Sequence, residues 1–401
     1  MENDSRIIIL LGSYSLDSDQ NLLLNQFYKK SIGVSNCQYE RKLLDGFKNV
    51  QPDDLYFMSC PRVGDWPISS KKICVKGFSE DKWLKTVPYK AILGFRNRSK
   101  GKALIRCLKE LLREYPADAP IQLIACEAHR PYLQAIRYFK RSRRAVFSTL
   151  LVPDLPEDMS KGYKSFLYRF MKRRENKIVH ALSDKYVDSF LAFTPDIERR
   201  INPLGKPSCV YEGIVERAES SHCESPAAKE EIRCGFVGSV DERNGIKLLV
   251  EASLLLPPNY KIHIYGSGDM EDFHFSDYPS VVYHGFVSPL DIPAAIENCD
   301  IMLSPRLCKG EYVKYSFPSK IFEYLSHYKK IITFRLPCYF PELDAILVYP
   351  KAETPEALAE SIIETAQKGY APDFETYDRI LNKYSAESIA KAIIEFAKQR
   401  N

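Results

Sequence analysis

The stretch from Asp300 to Phe334 most constrains the fold of this chain, because two strand-like runs follow each other with one helix between them. The runs Asp300–Ser304 and Lys330–Phe334 are short, apolar and of strand-like composition. Between them, Pro318 suits the first position of a helix, since the N–H that proline lacks would be unpaired there anyway. Alternation of strands and helices predicts a doubly wound α/β sheet.

The predicted helix has an apolar side and a polar side. At about 100° per residue, the apolar side holds Ile321, Phe322, Leu325 and Tyr328 and the polar side holds Ser316, Lys320, Glu323 and His327. The apolar side suits packing on a sheet, so the polar side must face something polar.

The start of this helix carries groups that suit a nucleotide. Its first turn offers unpaired N–H groups and a partial positive charge, which favour a phosphate. Lys320 adds a full positive charge, and the carboxylate of Glu323 can accept two hydrogen bonds from a vicinal diol such as a ribose. Phosphate followed by diol is the order of groups along a nucleoside diphosphate. The alternative is an ordinary amphipathic helix whose charged side faces solvent.

The segment PSKIFEYLSHYKKII, after a strand that begins ENCDIMLSP, resembles the donor-binding segment of GT-B glycosyltransferases, particularly retaining family four. The resemblance continues upstream through FVGSVDERNGIKLLVEA, YKIHIYGSGD and VVYHGFVSPLDIPAAIENCD, in the family's order. It covers most of residues 232–370 and implies two doubly wound Rossmann-like domains facing across a cleft.

The activity that the resemblance implies is transfer of a hexose, with retention, from a UDP- or GDP-sugar to a glycan or lipid-linked glycan in surface polysaccharide or glycoconjugate synthesis. The nucleotide-sugar is a co-substrate, and neither a metal nor another cofactor is expected. Lys320, Arg243, Gly238 and the helix start would hold the diphosphate, with Phe286 and Val287 at the base. The expected donor-binding residues are Gly238, Ser239, Arg243, Gly266, Phe286, Val287, Ser316, Pro318, Ser319, Lys320 and Glu323.

The second domain departs from the family at two places. Many relatives have an arginine directly after the glycine at position 238 and a lysine before the next helix, where this chain has Ser239 and a shorter run. Arg243 either replaces one of those cations or points to solvent. Tyr315 stands where a second glutamate is usual, eight residues before Glu323. A GT-B sugar-nucleotide epimerase and a non-catalytic partner subunit of another glycosyltransferase therefore stay as alternatives.

The first domain also alternates strands and helices, which predicts a sheet with functional loops at its carboxyl edge. Gly12 and Ser13 follow the buried run Arg6–Leu11 and are expected on the acceptor side. The further strand-like runs are Leu55–Ser59, Ile73–Val75, Ala91–Gly94, Ile121–Cys126 and Ala145–Val152.

Two loops of this domain carry candidate catalytic residues besides Lys320. Asp154 stands where the resemblance leads us to expect a histidine near the reacting sugar. It is expected to take a proton from the acceptor or to stabilise positive charge at the sugar; the alternative is an aspartate that caps a turn. His129 is expected either to orient a substrate or to be a satisfied structural group.

Length, composition and net charge limit the classes of protein to which this chain could belong. A chain of 401 residues predicts about two domains. No apolar run approaches the roughly 20 residues that span a bilayer, and MENDSR is too polar for a signal peptide. Eleven cysteines without a CxxC pair indicate reduced thiols, hence a cytoplasmic protein. The net charge of +5 does not imply nucleic-acid binding.

Residues 161–177 form a basic amphipathic segment with two interpretations. Basic residues surround an apolar stripe, as in helices that lie on an anionic membrane. The alternative is a core helix with a basic edge. The expected domains are 1–217, a linker 218–231, 232–384, and a last helix, 385–401, that crosses back to the first domain.

Overall fold

The computed structural model describes residues 6–15, 36–51, 53–68, 70–76, 82–143, 145–157, 166–218, 230–268, 274–288, 290–369 and 371–399, without the side chains of 36–37 and 166–168. The chain forms two compact units. Unit 1 consists of Met1–Ile214 and Ala386–Asn401, and unit 2 is Val215–Ser385.

Unit 1 is built on a parallel sheet of seven strands in the order β4-β2-β1-β6-β7-β8-β9, beside a small antiparallel pair, β3 and β5. The strands are β1 (Ile7–Gly12), β2 (Leu55–Ser59), β3 (Cys74–Val75), β4 (Leu84–Thr86), β5 (Tyr89–Lys90), β6 (Ile121–Ala125), β7 (Val146–Val152), β8 (Ser189–Ala192) and β9 (Ser208–Val210). All residues of β1, β6 and β7 are buried, and β1 is apolar throughout, as expected of a strand covered on both faces.

The helices of unit 1 cover this sheet. They are α1 (Asn36–Val50), α2 (Arg96–Leu111), α3 (Arg130–Ser142), α4 (Phe166–Tyr186), α5 (Pro195–Ile201) and, from the end of the chain, α11 (Ala386–Lys398). The last helix packs tightly on α1, where a Cβ at Gly46 would overlap the backbone of Ala386. Gln122 of β6 donates a hydrogen bond to the carbonyl of Ile393 at 2.8 Å. The core of unit 1 therefore includes residues from both ends of the chain.

Unit 2 contains a parallel sheet of six strands in the order β12-β11-β10-β13-β14-β15. The strands are β10 (Ile232–Val237), β11 (Tyr260–Tyr265), β12 (Val281–Gly285), β13 (Ile301–Ser304), β14 (Lys330–Thr333) and β15 (Leu347–Val348). The helices are α6 (Ile246–Ser253), α7 (Ile292–Glu297), α8 (Lys320–Ser326), α9 (Pro355–Gln367) and α10 (Phe374–Lys383).

The strand order of unit 2 reverses direction at β10. After β10 the chain moves outward to β11 and β12, then returns to the other side of β10 for β13. In sheets of this topology, ligands gather outside the carboxyl ends of the two strands at the reversal. The relevant loops are therefore those that follow Val237 and Ser304.

Several predicted boundaries shift. The run Ala91–Gly94 is a turn rather than a strand, with only a single bridge from Ile92 to Trp66. Helix α8 begins at Lys320, not Pro318, because the Pro318 and Ser319 carbonyls accept from Ile321 and Phe322 in tight three-residue turns. Most of the predicted linker and residues 161–165 lie outside the described residues.

None of the helices in the described ranges is long and apolar enough to span a membrane.

Candidate functional site

The helix that carries Lys320 and Glu323 is fixed to the end of β10 by Tyr324. Tyr324 is fully buried, and its hydroxyl accepts a hydrogen bond from the Val237 backbone N–H at 3.0 Å and donates to the Val237 carbonyl at 3.3 Å. Burial raises the pKa of Tyr324, so its hydroxyl keeps the proton that it donates. Because Gly238 follows Val237 directly, the helix start and the glycine lie at the same strand end.

The polar side of α8 consists of Lys320 and Glu323. The Lys320 ammonium lies 2.6 Å from the Glu323 carboxylate, and both side chains are partly exposed. Two residues expected on this side are elsewhere. Ser316 precedes the helix, and His327, at the helix end, is buried 3.5 Å from Glu297. Lys320 and Glu323 therefore lie together on one side of α8, a helix of seven residues.

Glycines beside this helix let backbone segments approach one another closely. The Gly238 N–H donates to the Tyr265 carbonyl at 3.0 Å, and the Gly266 N–H donates to the Gly285 carbonyl at 2.7 Å. A Cβ at Gly266 would overlap the carbonyl oxygen of Gly238, and the φ of Gly266 is +152°. The ends of β10 and β11 can therefore approach this closely only because position 266 has no side chain.

The loop after β10 joins the loop after β13. The Leu307 N–H donates to the Arg243 carbonyl at 3.2 Å, and a Cβ at Gly245 would overlap the carbonyl oxygen of Pro305. The Arg243 side chain is mostly exposed, 3.8 Å from Asp241. Ser239 is also exposed, and its carbonyl accepts from Asn244. Arg243 is thus a cation available beside the reversal of the sheet.

Phe286 and Val287 follow β12 and lie at the same carboxyl edge of the sheet, beyond β11. They were predicted to end the strand, but β12 stops at Gly285, whose φ of +69° turns the chain. Phe286 is 75% exposed, and Val287 is half-buried. An exposed ring at this position is available to stack on a planar group.

The acceptor-side residues predicted in unit 1 lie at the carboxyl ends of its strands. Gly12 ends β1, and its carbonyl accepts from the buried Tyr132 hydroxyl at 2.8 Å. The Ser13 N–H donates to the carboxyl group of Glu40 at 2.8 Å. Asp154 is half-buried on the bend that follows β7. Buried side chains of Tyr132 and Glu40 therefore hold the loop after β1 in place. Neither residue was identified from the sequence.

A buried charged network lies at this edge of unit 1, and sequence reasoning missed it. Glu40, Lys100 and Glu127 are nearly inaccessible to solvent. Arg62 forms an ion pair with Glu127. The Lys100 ammonium donates to the carbonyls of Cys60 and Pro61, each at 3.4 Å. Because these groups come from segments far apart in the chain, no local pattern in the sequence could identify them.

Burial changes the pKa values of this network. Desolvation, followed by repulsion from Glu127, raises the pKa of Glu40 to about 7. Desolvation lowers the pKa of Lys100 to about 8. The pKa of His129 is well below its usual value, first because of burial and then because Lys100 and Arg96 are nearby cations. His129 is therefore a neutral imidazole near neutral pH, 3.7 Å from Glu127.

Among the described residues, no three His, Cys, Asp or Glu side chains converge as metal ligands would.

The chain matches known proteins in structure but not in sequence. No family model and no curated protein matches the sequence. The structure is similar to that of the apo form of the lipopolysaccharide outer core galactosyltransferase WaaB, with a TM-score of 0.61, 14% identity, and coverage of 98% of this chain and 99% of the other. It is also similar to an α,α-trehalose-phosphate synthase from Burkholderia xenovorans in complex with glucose-6-phosphate, with a TM-score of 0.59, 12% identity, and coverage of 98% and 100%.

A structure of Anabaena Alr3699/HepE in complex with UDP also matches, with a TM-score of 0.50, 14% identity, and coverage of 98% of both chains. The chain therefore has the GT-B fold, and the predicted fold class of two doubly wound α/β domains is confirmed. Membership of family four stays a prediction.

Proposed function

We propose that this protein is a glycosyltransferase that moves a hexose from a nucleoside diphosphate sugar to a glycan or lipid-linked glycan acceptor, with retention. The observation that carries the proposal is the attachment of α8 to β10 through Tyr324. It holds Lys320 and Glu323 beside Gly238, at the reversal of strand order in unit 2. In a GT-B fold, this is where a nucleotide is expected.

Different residues of unit 2 bind different parts of the donor in this proposal. Lys320 and Arg243 supply positive charge for the diphosphate, and the absence of a side chain at Gly238 lets it approach closely. Glu323 accepts hydrogen bonds from the ribose hydroxyls. Phe286 and Val287 contact the base. The UDP in the Anabaena relative supports a uridine nucleotide as the first donor to test.

The proposed catalysis is electrostatic stabilisation of the charges that develop during sugar transfer. Departure of the nucleoside diphosphate leaves negative charge on its phosphates and positive charge on the sugar, and fixed cations stabilise the first of these without a metal ion. Lys320 is the candidate for this role. Asp154 is proposed to stabilise the sugar or to accept the acceptor's proton, and neutral His129 to orient a hydroxyl. A lipid-linked acceptor would place the enzyme at the inner face of the cytoplasmic membrane.

Calorimetry with UDP and with uridine tests the two donor roles separately. Glu323→Ala should weaken binding of both ligands by about 1–3 kcal/mol, the usual value of hydrogen bonds to a charged group. Lys320→Ala should weaken UDP binding but leave uridine binding nearly unchanged, since uridine has no phosphate. Uridine is the cleaner probe of Glu323, because removing Glu323 also frees Lys320 from its ion pair.

Glu364→Ala and Lys368→Ala are matched controls, because they break an exposed helical ion pair of unit 2 on α9. No binding of UDP or GDP to the wild type would remove the basis of the proposal. Release of nucleotide from a UDP-sugar only when a glycan acceptor is added separates a transferase from an epimerase.

A further inference from the structure

Six large apolar side chains of unit 1 are exposed in three neighbouring segments. We call them the apolar rim: Trp66, Ile68, Leu93, Phe95, Phe170 and Met171. Ile68 is 67% exposed, Phe95 62% and Phe170 60%. Isoleucine and phenylalanine are residue types that are usually buried in protein cores. Clustered exposed apolar residues mark interaction surfaces, whereas singly scattered ones are normal.

The segments of the rim contact one another. The Trp66 carbonyl accepts from the Leu93 N–H at 3.2 Å, and the Trp66 N–H donates to the carbonyl of Ala91 at 2.7 Å. Between Leu93 and Phe95, the φ of Gly94 is +76° and a Cβ there would meet no atom within 4 Å, so this turn projects into open space.

Helix α4 joins the rim through the start of α2. Asn97, two residues after Phe95, donates to the Glu175 carboxylate at 3.1 Å. Met171 lies one helical turn before Glu175. The segment after β2, the start of α2 and the start of α4 all lie at the carboxyl edge of the parallel sheet of unit 1, because helices run opposite to the strands that they connect.

Arginines surround this apolar surface. Arg98, Arg169, Arg173 and Arg174 are exposed, and within the described part of the chain none of the four pairs with a carboxylate. Their charge is therefore available to an external anion. Exposed Trp and Phe rings beside unpaired arginines match the boundary between lipid headgroups and acyl chains, where rings insert and cations meet anionic headgroups.

We propose that unit 1 docks on an anionic lipid bilayer through the apolar rim and these four arginines. The exposure of Phe170 and Met171 favours this interpretation of α4 over a core helix with a basic edge, which would bury them. The proposal does not rest on the proposed sugar transfer, because vesicles can bind the protein whether or not a nucleotide does.

Co-sedimentation of the full chain with vesicles of phosphatidylcholine and phosphatidylglycerol tests the proposal. The wild type should pellet with them in low salt, and should pellet poorly with phosphatidylcholine alone or at about 1 M salt, where the Debye length is about 3 Å. Arg173→Glu with Arg174→Glu should weaken binding by roughly 30-fold or more, since each basic residue near such a surface contributes about fivefold. Phe95→Ser with Phe170→Ser should weaken binding even at low salt.

Matched controls come from unit 2. Lys247→Glu with Arg379→Glu reverses two exposed charges, and Leu254→Ser with Leu255→Ser removes two exposed apolar residues. These variants should pellet like the wild type. Failure of the wild type to pellet with anionic vesicles overturns the proposal, as does an equal loss of binding in the unit 2 controls. Because every substituted side chain is exposed, thermal melting should show that all the variants stay folded.

Discussion

The hydroxyl of Tyr324 lies within hydrogen-bonding distance of both backbone groups of Val237, 3.0 Å from the nitrogen and 3.3 Å from the oxygen. One side chain thereby fixes the helix that carries the candidate donor-binding residues to the strand that carries the candidate glycine. The candidate donor-binding residues are thus positioned by a side chain that is itself fully buried.

Replacing Tyr324 by Phe tests this dependence. The change leaves the buried Val237 N–H without its partner, which should cost about 1–3 kcal/mol of stability. It should also weaken UDP binding, because α8 loses its attachment. Tyr339→Phe is the matched control, since that hydroxyl bonds only to Thr333 at 2.9 Å among the contacts described. Calorimetry should show weakened UDP binding for Tyr324→Phe alone; equal affinities in both variants would mean that Tyr324 serves only stability.

Gly266→Ala should abolish nucleotide binding by separating the ends of β10 and β11. The added Cβ would overlap the Gly238 carbonyl, and backbone cannot yield as a flexible side chain can. Gly205→Ala in unit 1 is the control, because its φ of +61° imposes strain but no atom lies within 4 Å of the new Cβ. UDP titration and thermal melting measure both effects. If Gly266→Ala binds UDP normally, the close approach of the two strand ends does not matter for the ligand.

Glu40→Gln should change how stability depends on pH. The pKa of Glu40 is about 7 in the folded protein and ordinarily 4.5, so the unfolded chain releases this proton first as the pH rises. The wild type should therefore lose up to about 3 kcal/mol between these two values, and little more above them. Glutamine cannot ionise and should abolish that loss.

Urea denaturation at about pH 4 and about pH 8, on either side of this interval, measures the difference. The free energy of unfolding of the variant minus that of the wild type should be larger at the higher pH than at the lower pH. A constant difference would show that the pKa of Glu40 is the same in the folded and the unfolded protein.

Asp154→Asn should reduce kcat strongly while leaving the affinity for UDP nearly unchanged. The expectation rests on the role proposed for its negative charge, which asparagine lacks at the same size. It also rests on its place in unit 1 rather than in unit 2, where the nucleotide is proposed to bind. Steady-state kinetics and calorimetry separate the two quantities. Asp196→Asn, on α5 of the same unit, is a control that should keep full turnover. Unaltered turnover of the Asp154 variant would make it a turn residue.

The sequence predicted the parts of the fold that local patterns determine. β1 was visible because a strand buried on both faces is apolar throughout, as in Ile7–Gly12. Threonine followed by proline is typical of a helix start, and at α9 the Thr354 hydroxyl accepts from the Ala357 N–H at 3.2 Å. The start of α8 was placed two residues early, because Pro318 suits both a first helical position and the tight turn that it forms here.

The remaining features depend on residues distant in the chain. Tyr324 was assigned to neither side of the predicted helix, and only its contact with Val237, 87 positions away, reveals its role. Glu40 could not be identified from local sequence, because its partner Ser13 is 27 positions away. The roles of the remaining site residues stay predictions.

The return of α11 to unit 1 has a consequence for the order in which the protein is made. Ile389 and Ile393 pack in the same core as Ile8 and Leu10. A ribosome therefore completes all of unit 2 before it supplies the helix that closes unit 1. Unit 2, a continuous segment, can fold during synthesis, whereas unit 1 must wait with part of its core open to solvent.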